Sequence, residues 1–138
     1  MASPSPVALP DSDREPAGRC DARLVEIVFP GGANHHGTLF GGAALALMAK
    51  TAFVAASRRA GPSIVLAASE RVEFVRPVRV GEIVEYHARV TRIGRSSMSV
   101  EVEGTTDVDA TGDVQVAMRG SFEMVAVDEA GRPRPITP

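Results

Sequence analysis

The sequence is poor in the residues that build several classes of functional site. Its 138 residues include one cysteine, no tryptophan and only 4% aromatic residues. The single Cys20 excludes an intrachain disulfide and argues against a thiolate metal site. A net charge of −2 and the lack of a basic run or of aromatic stacking residues argue against a nucleic-acid-binding surface. We therefore expect no nucleic-acid partner.

Long apolar segments are also missing. The longest apolar run, Leu39 to Ala49, ends at Lys50 and is well short of the roughly 20 residues that span a membrane. The N-terminal residues lack the apolar core of a secretory signal peptide. We therefore expect no membrane span, and a cytoplasmic location that agrees with the single cysteine.

What is present is the composition of one globular domain, with 44% apolar residues. Four prolines among small and polar residues predict a disordered N-terminal tail over residues 1–20. A proline-rich end predicts a flexible C-terminal tail over residues 129–138. The single folded domain is predicted to span residues 21–128.

The pattern of apolar residues predicts the order β, α, β, β, β, β within this domain. A first strand is predicted over Leu24–Phe29, followed by a helix from about Gly41 to Arg59 that Gly61 and Pro62 terminate. Further strands are predicted over residues 64–75, 82–93, 95–105 and 114–127, with a turn at 107–112. The later strands alternate apolar and polar residues, as antiparallel strands with one buried face do.

The helix is apolar on nearly every side, so it requires burial all round. A sheet wrapped around a central helix satisfies both patterns. One five-stranded sheet covers only part of the helix. We therefore expect a second protomer to cover the rest.

Three motifs at matching spacing resemble the cytosolic-type acyl-CoA thioesterases of the hotdog fold, over about residues 22–128. They are Asn34-x-x-Gly37-x-x-Phe40-Gly41-Gly42, Val78-x-Val80-Gly81-Glu82 and Val90-x-x-Ile93-Gly94-Arg95-Ser96-Ser97. The resemblance implies an α+β hotdog fold, with a long buried central helix wrapped by a five-stranded antiparallel sheet. It implies hydrolysis of acyl-CoA to a free fatty acid and CoA, with no cofactor. It also implies a homodimer, or a hexamer built as a trimer of dimers.

The resemblance places the thioester carbonyl at Gly41 and Gly42, where a backbone N–H at the start of the helix holds the oxygen. Unpaired N–H groups and the helix dipole favour negative charge there. Glycine lets a ligand approach the backbone closely. The alternative is that both glycines only permit tight packing of the helix.

The catalytic acid of the family corresponds to Ala49 in this chain. The resemblance implies an acid seven residues after Gly42, which is about two helical turns and therefore the same face. Helical side chains lean toward the N-terminus, so a carboxylate there would reach toward the carbonyl. Alanine can neither activate water nor attack the thioester.

Three explanations for Ala49 stay open. The first is that the chain is an engineered variant with an otherwise intact site, and the well-formed motif favours this explanation. The second is that it is a natural protein, such as a sensor, that binds acyl-CoA without catalysis. The third is that another acid takes the catalytic role. Glu70 and Glu73 are the nearest acids along the chain. A regular strand places them on opposite faces, and both are predicted to be solvated.

Residues of the loop before the helix are further candidates. The resemblance implies that Asn34 helps to place the water or the acid across a dimer interface, and an Asx-type turn is the alternative. His35 and His36 are predicted to shape the loop beside the bound thioester. A metal would need more ligands, and the only other histidine, His87, lies on the polar face of a strand, so no metal site is predicted.

CoA itself is expected at the Gly94–Ser97 turn, where Arg95 offers a planar fork to phosphate and Ser96 and Ser97 suit the pantetheine arm. Arg76 is a second candidate for binding phosphate. The alternative for the Gly94–Ser97 turn is a plain β-turn without a ligand.

Other enzyme classes are disfavoured. No Gly-x-Ser-x-Gly elbow of a serine hydrolase is present. A hotdog hydratase is disfavoured, because its Asp/His pair needs an aspartate that the loop lacks.

Overall fold

The computed structural model describes residues 20–107 and 113–138. Its elements are β1 (Asp21–Ile27), α1 (Gly41–Ala60), β2 (Ile64–Phe74), β3 (Ile83–Ile93), β4 (Ser97–Thr106) and β5 (Gln115–Ala126), with a short 3-10 turn at Pro30–Gly32. The predicted tail over residues 1–20, apart from Cys20, lies outside the described residues. So does most of the predicted turn at 107–112.

The five strands form one antiparallel sheet in the order β1-β3-β4-β5-β2, and α1 packs against all five. This confirms the predicted α+β hotdog architecture for a single chain. The predicted inward faces of β3 and β4 are buried, with Tyr86, Met98 and Val100 among the largest side chains of the core.

The element ends differ slightly from the predicted ones. β1 begins at Asp21, because its ladder with β3 continues through the pair Asp21 and Arg89. That pairing involves polar residues, which hydrophobic periodicity does not detect. β4 begins at Ser97 rather than at Arg95.

α1 begins at Phe40 as N-cap without a side-chain cap and ends at Gly61. Gly61 has φ +87°, a backbone conformation that favours glycine, and its N–H bonds to the carbonyl of Ser57 at 2.8 Å. Six residues of the helix are buried against the sheet: Ala44, Met48, Thr51, Ala52, Ala55 and Ala56. The opposite face is exposed at Gly42, Ala46, Lys50 and Phe53. Residues 20–107 and 113–138 of one chain therefore cover only one side of the helix.

β2 is irregular at its centre. Its register with β5 shifts between Glu70 and Glu73, and Arg71 has φ +54°. The shift corrects the expectation that the two glutamates lie on opposite faces, because both line one groove with Arg119 and Glu123 on the face of the sheet away from α1.

The C-terminal residues contact the domain. Residues 129–138 are predicted to be a flexible tail, yet the Nη2 of Arg134 donates to the carbonyl of Ala60 at 2.8 Å. The N–H of Ile136 donates to the carbonyl of Arg95 at 2.8 Å. In the structure this segment therefore lies across the C-terminal end of α1 and the β3–β4 turn. Within residues 20–107 and 113–138, no helix has the length and hydropathy needed to cross a membrane.

Candidate functional site

Asn34 organises the loop that precedes α1. Its Oδ1 accepts hydrogen bonds from the N–H of His36 at 2.9 Å and from both the N–H and the hydroxyl of Thr38 at 3.2 Å. Its own N–H donates to the carbonyl of Thr38 at 2.8 Å. The Asx-type turn that the sequence allows as an alternative is therefore present. The Nδ2 amide has no acceptor among the described residues, so it remains available to a ligand.

The two adjacent histidines lie on this turn. His35 and His36 are exposed, and their ring centroids are 4.0 Å apart with the planes tilted by 41°. In the part of the chain that the structure describes, no three side chains of a metal-binding type converge. Both histidines are exposed residues of the loop that precedes α1.

The start of α1 presents unpaired backbone donors. The first amide of the helix with an internal acceptor is that of Ala44, which bonds to the carbonyl of Phe40 at 3.0 Å. Within the described residues, the N–H groups of Gly41, Gly42 and Ala43 have no hydrogen-bond partner, and no acidic side chain lies in the first turn. Three donors and the positive end of the helix dipole therefore face outward together.

Gly42 has a steric role as well. A Cβ added at Gly42 would lie 2.6 Å from Cε2 of Phe40, whereas one at Gly41 would lie at an ordinary 3.6 Å from the ring of Phe74. The packing explanation thus holds for Gly42 against Phe40. It does not compete with the role in carbonyl binding, since both require an open Cα.

A cavity of about 290 Å³ borders the helix start. Its lining includes Leu39, Gly41, Ala44, Phe74, Val78 and Met118. Arg76 is the only charged residue in this lining, and none of the described lining residues carries a carboxylate. An apolar cavity beside free N–H donors suits a ligand with a carbonyl joined to a hydrocarbon.

Arg76 has internal partners, which the sequence does not reveal. Its Nη2 donates to Oε1 of Glu82 at 3.2 Å and to the hydroxyl of Thr106, and its Nη1 donates to the carbonyl of Pro77 at 2.9 Å. Its Nε is buried without an acceptor among the described residues. The guanidinium predicted to bind phosphate is thus engaged in holding the β2–β3 connection.

Ala49 lies on α1, half-buried and packed against the core. It is about 10 Å from Gly42 along the helix axis. α1 contains no aspartate or glutamate, and the residue after Ala49 is the exposed Lys50. Glu70 and Glu73 lie on the far face of the sheet. The site in one chain can therefore hold a carbonyl oxygen, but α1 offers no carboxylate to activate water.

The predicted CoA turn lies at the other end of the domain. The carbonyl of Ser96 accepts from the N–H of Ala126, which pairs with Ile64, just beyond the end of α1. The N–H of Gly94 bonds to the carbonyl of Ser97 at 2.7 Å and closes the turn. A helix of 20 residues is about 30 Å long. One chain therefore does not bring this turn to the start of α1.

Sequence comparison places the chain among thioester hydrolases. The model of the thioesterase superfamily matches residues 36–112. An uncharacterized acyl-CoA thioester hydrolase of Zymomonas mobilis is 35% identical over 123 residues, which cover 89% of this chain and 81% of the relative.

Solved structures agree. The acyl-CoA hydrolase of Staphylococcus aureus, in complex with butyryl coenzyme A and coenzyme A, superposes with a TM-score of 0.81 at 32% identity, over 86% of this chain and 72% of that one. Three single alanine variants of that enzyme have also been solved. One replaces an asparagine, the second an aspartate fifteen residues later, and the third a threonine seventeen residues after the aspartate.

A hexameric, broad-specificity acyl-coenzyme A thioesterase, solved as an aspartate-to-alanine variant, superposes with a TM-score of 0.77 at 31% identity, over 83% of this chain and 84% of that one. This chain belongs to the thioesterase superfamily, with the hotdog fold of solved acyl-CoA thioesterases.

Proposed function

We propose that this chain binds acyl-CoA thioesters at the N-terminus of α1 and hydrolyses them very slowly or not at all. The observation that carries the proposal is the set of three unpaired N–H groups at Gly41, Gly42 and Ala43, with Ala49 two turns further along the same helix. The carbonyl oxygen of the thioester accepts from the helix start, and the acyl chain occupies the adjoining apolar cavity.

The spacing of the Staphylococcus aureus variants supports the assignment of Ala49. The substituted asparagine and aspartate of that enzyme are fifteen residues apart, as Asn34 and Ala49 are here. Both an engineered change at position 49 and a natural protein that binds acyl-CoA as a sensor agree with this spacing. Either origin leaves a site that can bind the thioester without a general base on α1.

The absence of a carboxylate at position 49 should lower the rate of thioester hydrolysis. A positioned general base contributes about 10²–10⁴ to a reaction rate. Without it, the oxyanion site still polarises the carbonyl, but the attacking water keeps its proton. Bound acyl-CoA therefore persists, and the site acts as a binding site.

The site is proposed to be completed in an oligomer. The face of α1 with Gly42, Ala46 and Phe53 is exposed in one chain, as are the apolar side chains of Val65 and Leu66 on the edge strand β2. A second protomer would cover both, and three such dimers would form a hexamer, which is the assembly of the hexameric relative. The turn at residues 94–97 can approach the start of α1 only when that helix belongs to another protomer.

A cytoplasmic location stays a prediction of the sequence.

The test restores the carboxylate. We expect the unmodified chain to bind CoA and acyl-CoA in calorimetry and to release no thiol from a panel of acyl-CoA esters. Ala49→Asp should raise thiol release by about 10²-fold or more. Ala49→Asn, which adds a side chain of the same size at the same position without an ionisable carboxylate, is the matched control and should stay at background.

The outcomes separate the alternatives. If the unmodified chain binds acyl-CoA and Ala49→Asp gains no hydrolysis, binding is supported and the assignment of position 49 as the acid position is wrong. If the unmodified chain hydrolyses acyl-CoA efficiently, another acid acts and the proposed role of Ala49 is wrong. If it binds no CoA ester, the proposed function is rejected.

A further inference from the structure

The loop that leads into α1 is attached to the β2–β3 connection by backbone hydrogen bonds. The N–H of Leu39 donates to the carbonyl of Val78 at 2.7 Å, and the N–H of Val80 donates to the carbonyl of Gly37 at 3.1 Å. The position of the helix start therefore depends on the position of residues 78–80.

One carboxylate fixes those residues. Oε2 of Glu82 accepts from the N–H of Arg79 at 2.9 Å, and the N–H of Glu82 donates to the carbonyl of Arg79 at 3.0 Å. Its Oε1 accepts from Nη2 of Arg76 at 3.2 Å. The side chain of Glu82 thus joins both ends of the connection that carries Val78 and Val80.

Arg76 connects this carboxylate to the sheet. Its Nη2 also donates to the hydroxyl of Thr106, which is buried at the end of β4. The side chains of Arg76 and Glu82 are 28% and 30% exposed, so water screens the ion pair only in part. Hydrogen bonds between charged groups are stronger than neutral ones in such surroundings.

We propose that Glu82 is a positioning residue of the acyl-CoA site, with Arg76 as its anchor. The carboxylate holds residues 78–80, these residues hold the loop at 37–39, and that loop sets the direction of the N–H groups at Gly41 and Gly42. The proposal rests on the proposed function for the identity of the ligand. It assigns Glu82 no contact with the substrate.

The test measures local opening in the full-length chain. In Glu82→Ala, hydrogen exchange of the Leu39 and Val80 amides should be at least tenfold faster. Local opening of this loop in the native chain requires breaking the hydrogen bonds that the Glu82 carboxylate accepts, and the variant lacks them. Exchange of core amides in β4, such as Val100, should keep its native rate. The affinity for CoA esters should fall about tenfold.

A matched control and a conservative variant complete the design. Glu85 lies three residues further on and forms an exposed ion pair with Arg23 at 2.9 Å, so Glu85→Ala should change neither quantity. Glu82→Gln keeps an acceptor for the Arg79 amide and should restore part of the slow exchange. It also provides the measurement if Glu82→Ala does not fold.

The proposal is overturned if Leu39 and Val80 exchange at the native rate in both Glu82 variants. It is also overturned if Val100 exchanges faster by the same factor, since that would show a loss of global stability. Absence of CoA binding in the unmodified chain rejects the proposed function instead, and the exchange rates still decide whether Glu82 positions the loop.

Discussion

The side-chain oxygen of Asn34 and the hydroxyl of Thr38 are 3.2 Å apart, and the same oxygen accepts from the N–H of Thr38 and of His36. One face of the Asn34 amide therefore builds the turn, while the Nδ2 remains free of partners among the described residues. A structural role and a binding role thus belong to different atoms of one side chain, which makes them separable by mutation.

Asn34→Asp should separate the two roles. An aspartate keeps the acceptor oxygen for Thr38 and His36, so the free energy of unfolding should change by less than about 1 kcal/mol. It replaces the donating Nδ2 by an anionic oxygen near the bound thioester, so acyl-CoA affinity should fall at least tenfold. Asn34→Ala should lower both quantities. Equal affinity for the native chain and Asn34→Asp, measured by calorimetry, would mean that Asn34 acts only in the turn.

Gly42→Ala should be more harmful than Gly41→Ala. The added Cβ at Gly42 meets the ring of Phe40 at 2.6 Å, and overpacking of this kind costs roughly 1–3 kcal/mol. Because Phe40 is exposed and can turn aside, we expect the lower end of this range. The Cβ at Gly41 meets Phe74 at an ordinary 3.6 Å. Denaturant unfolding of both variants measures the difference, and similar losses would contradict it.

A second measurement on Gly42 tests the carbonyl site. The double variant with Phe40→Ala removes the clash and should recover the stability lost in Gly42→Ala. Acyl-CoA affinity should stay low, because the Cβ still obstructs the approach to the free N–H groups. Recovery of affinity together with stability would show that Gly42 serves packing alone.

Local patterns predicted the helix, the strands and the antiparallel sheet, because the burial of β3 and β4 follows directly from their alternation. They did not predict the partners of Arg76, since the hydroxyl of Thr106 is 30 residues away in sequence. The bulge that brings Glu70 and Glu73 to one face also depends on pairing with a distant strand. Long-range contacts of polar side chains leave no periodic signal.

Arg134→Ala should destabilise the domain. Its guanidinium donates to the carbonyl of Ala60 at 2.8 Å and to that of Val127 at 3.0 Å, so it satisfies an acceptor at the C-terminal end of α1. We expect the free energy of unfolding to fall by about 1–2 kcal/mol. Arg132→Ala, an exposed neighbour, is the control and should be neutral. Identical unfolding midpoints for the two variants would contradict a stabilising role of the C-terminal segment.

The stability of the domain should decline at high pH because of Tyr86. This side chain is buried, and its burial together with the charge of Glu26 raises its pKa from 10.0 to about 12. In the unfolded chain the phenol ionises near pH 10, so between pH 10 and 12 the unfolded state binds fewer protons and becomes favoured. The free energy of unfolding should therefore be unaffected by Tyr86 below pH 10 and fall by roughly 2–3 kcal/mol by pH 12.

The composition makes this measurement direct. Tyr86 is the only tyrosine, so phenolate absorbance reports its ionisation alone. Tyr86→Phe should remove most of the decline, because phenylalanine fills the same space without an ionisable group. If the native chain shows its phenolate near pH 10 while still folded, or if Tyr86→Phe declines as steeply, burial of Tyr86 is not the cause.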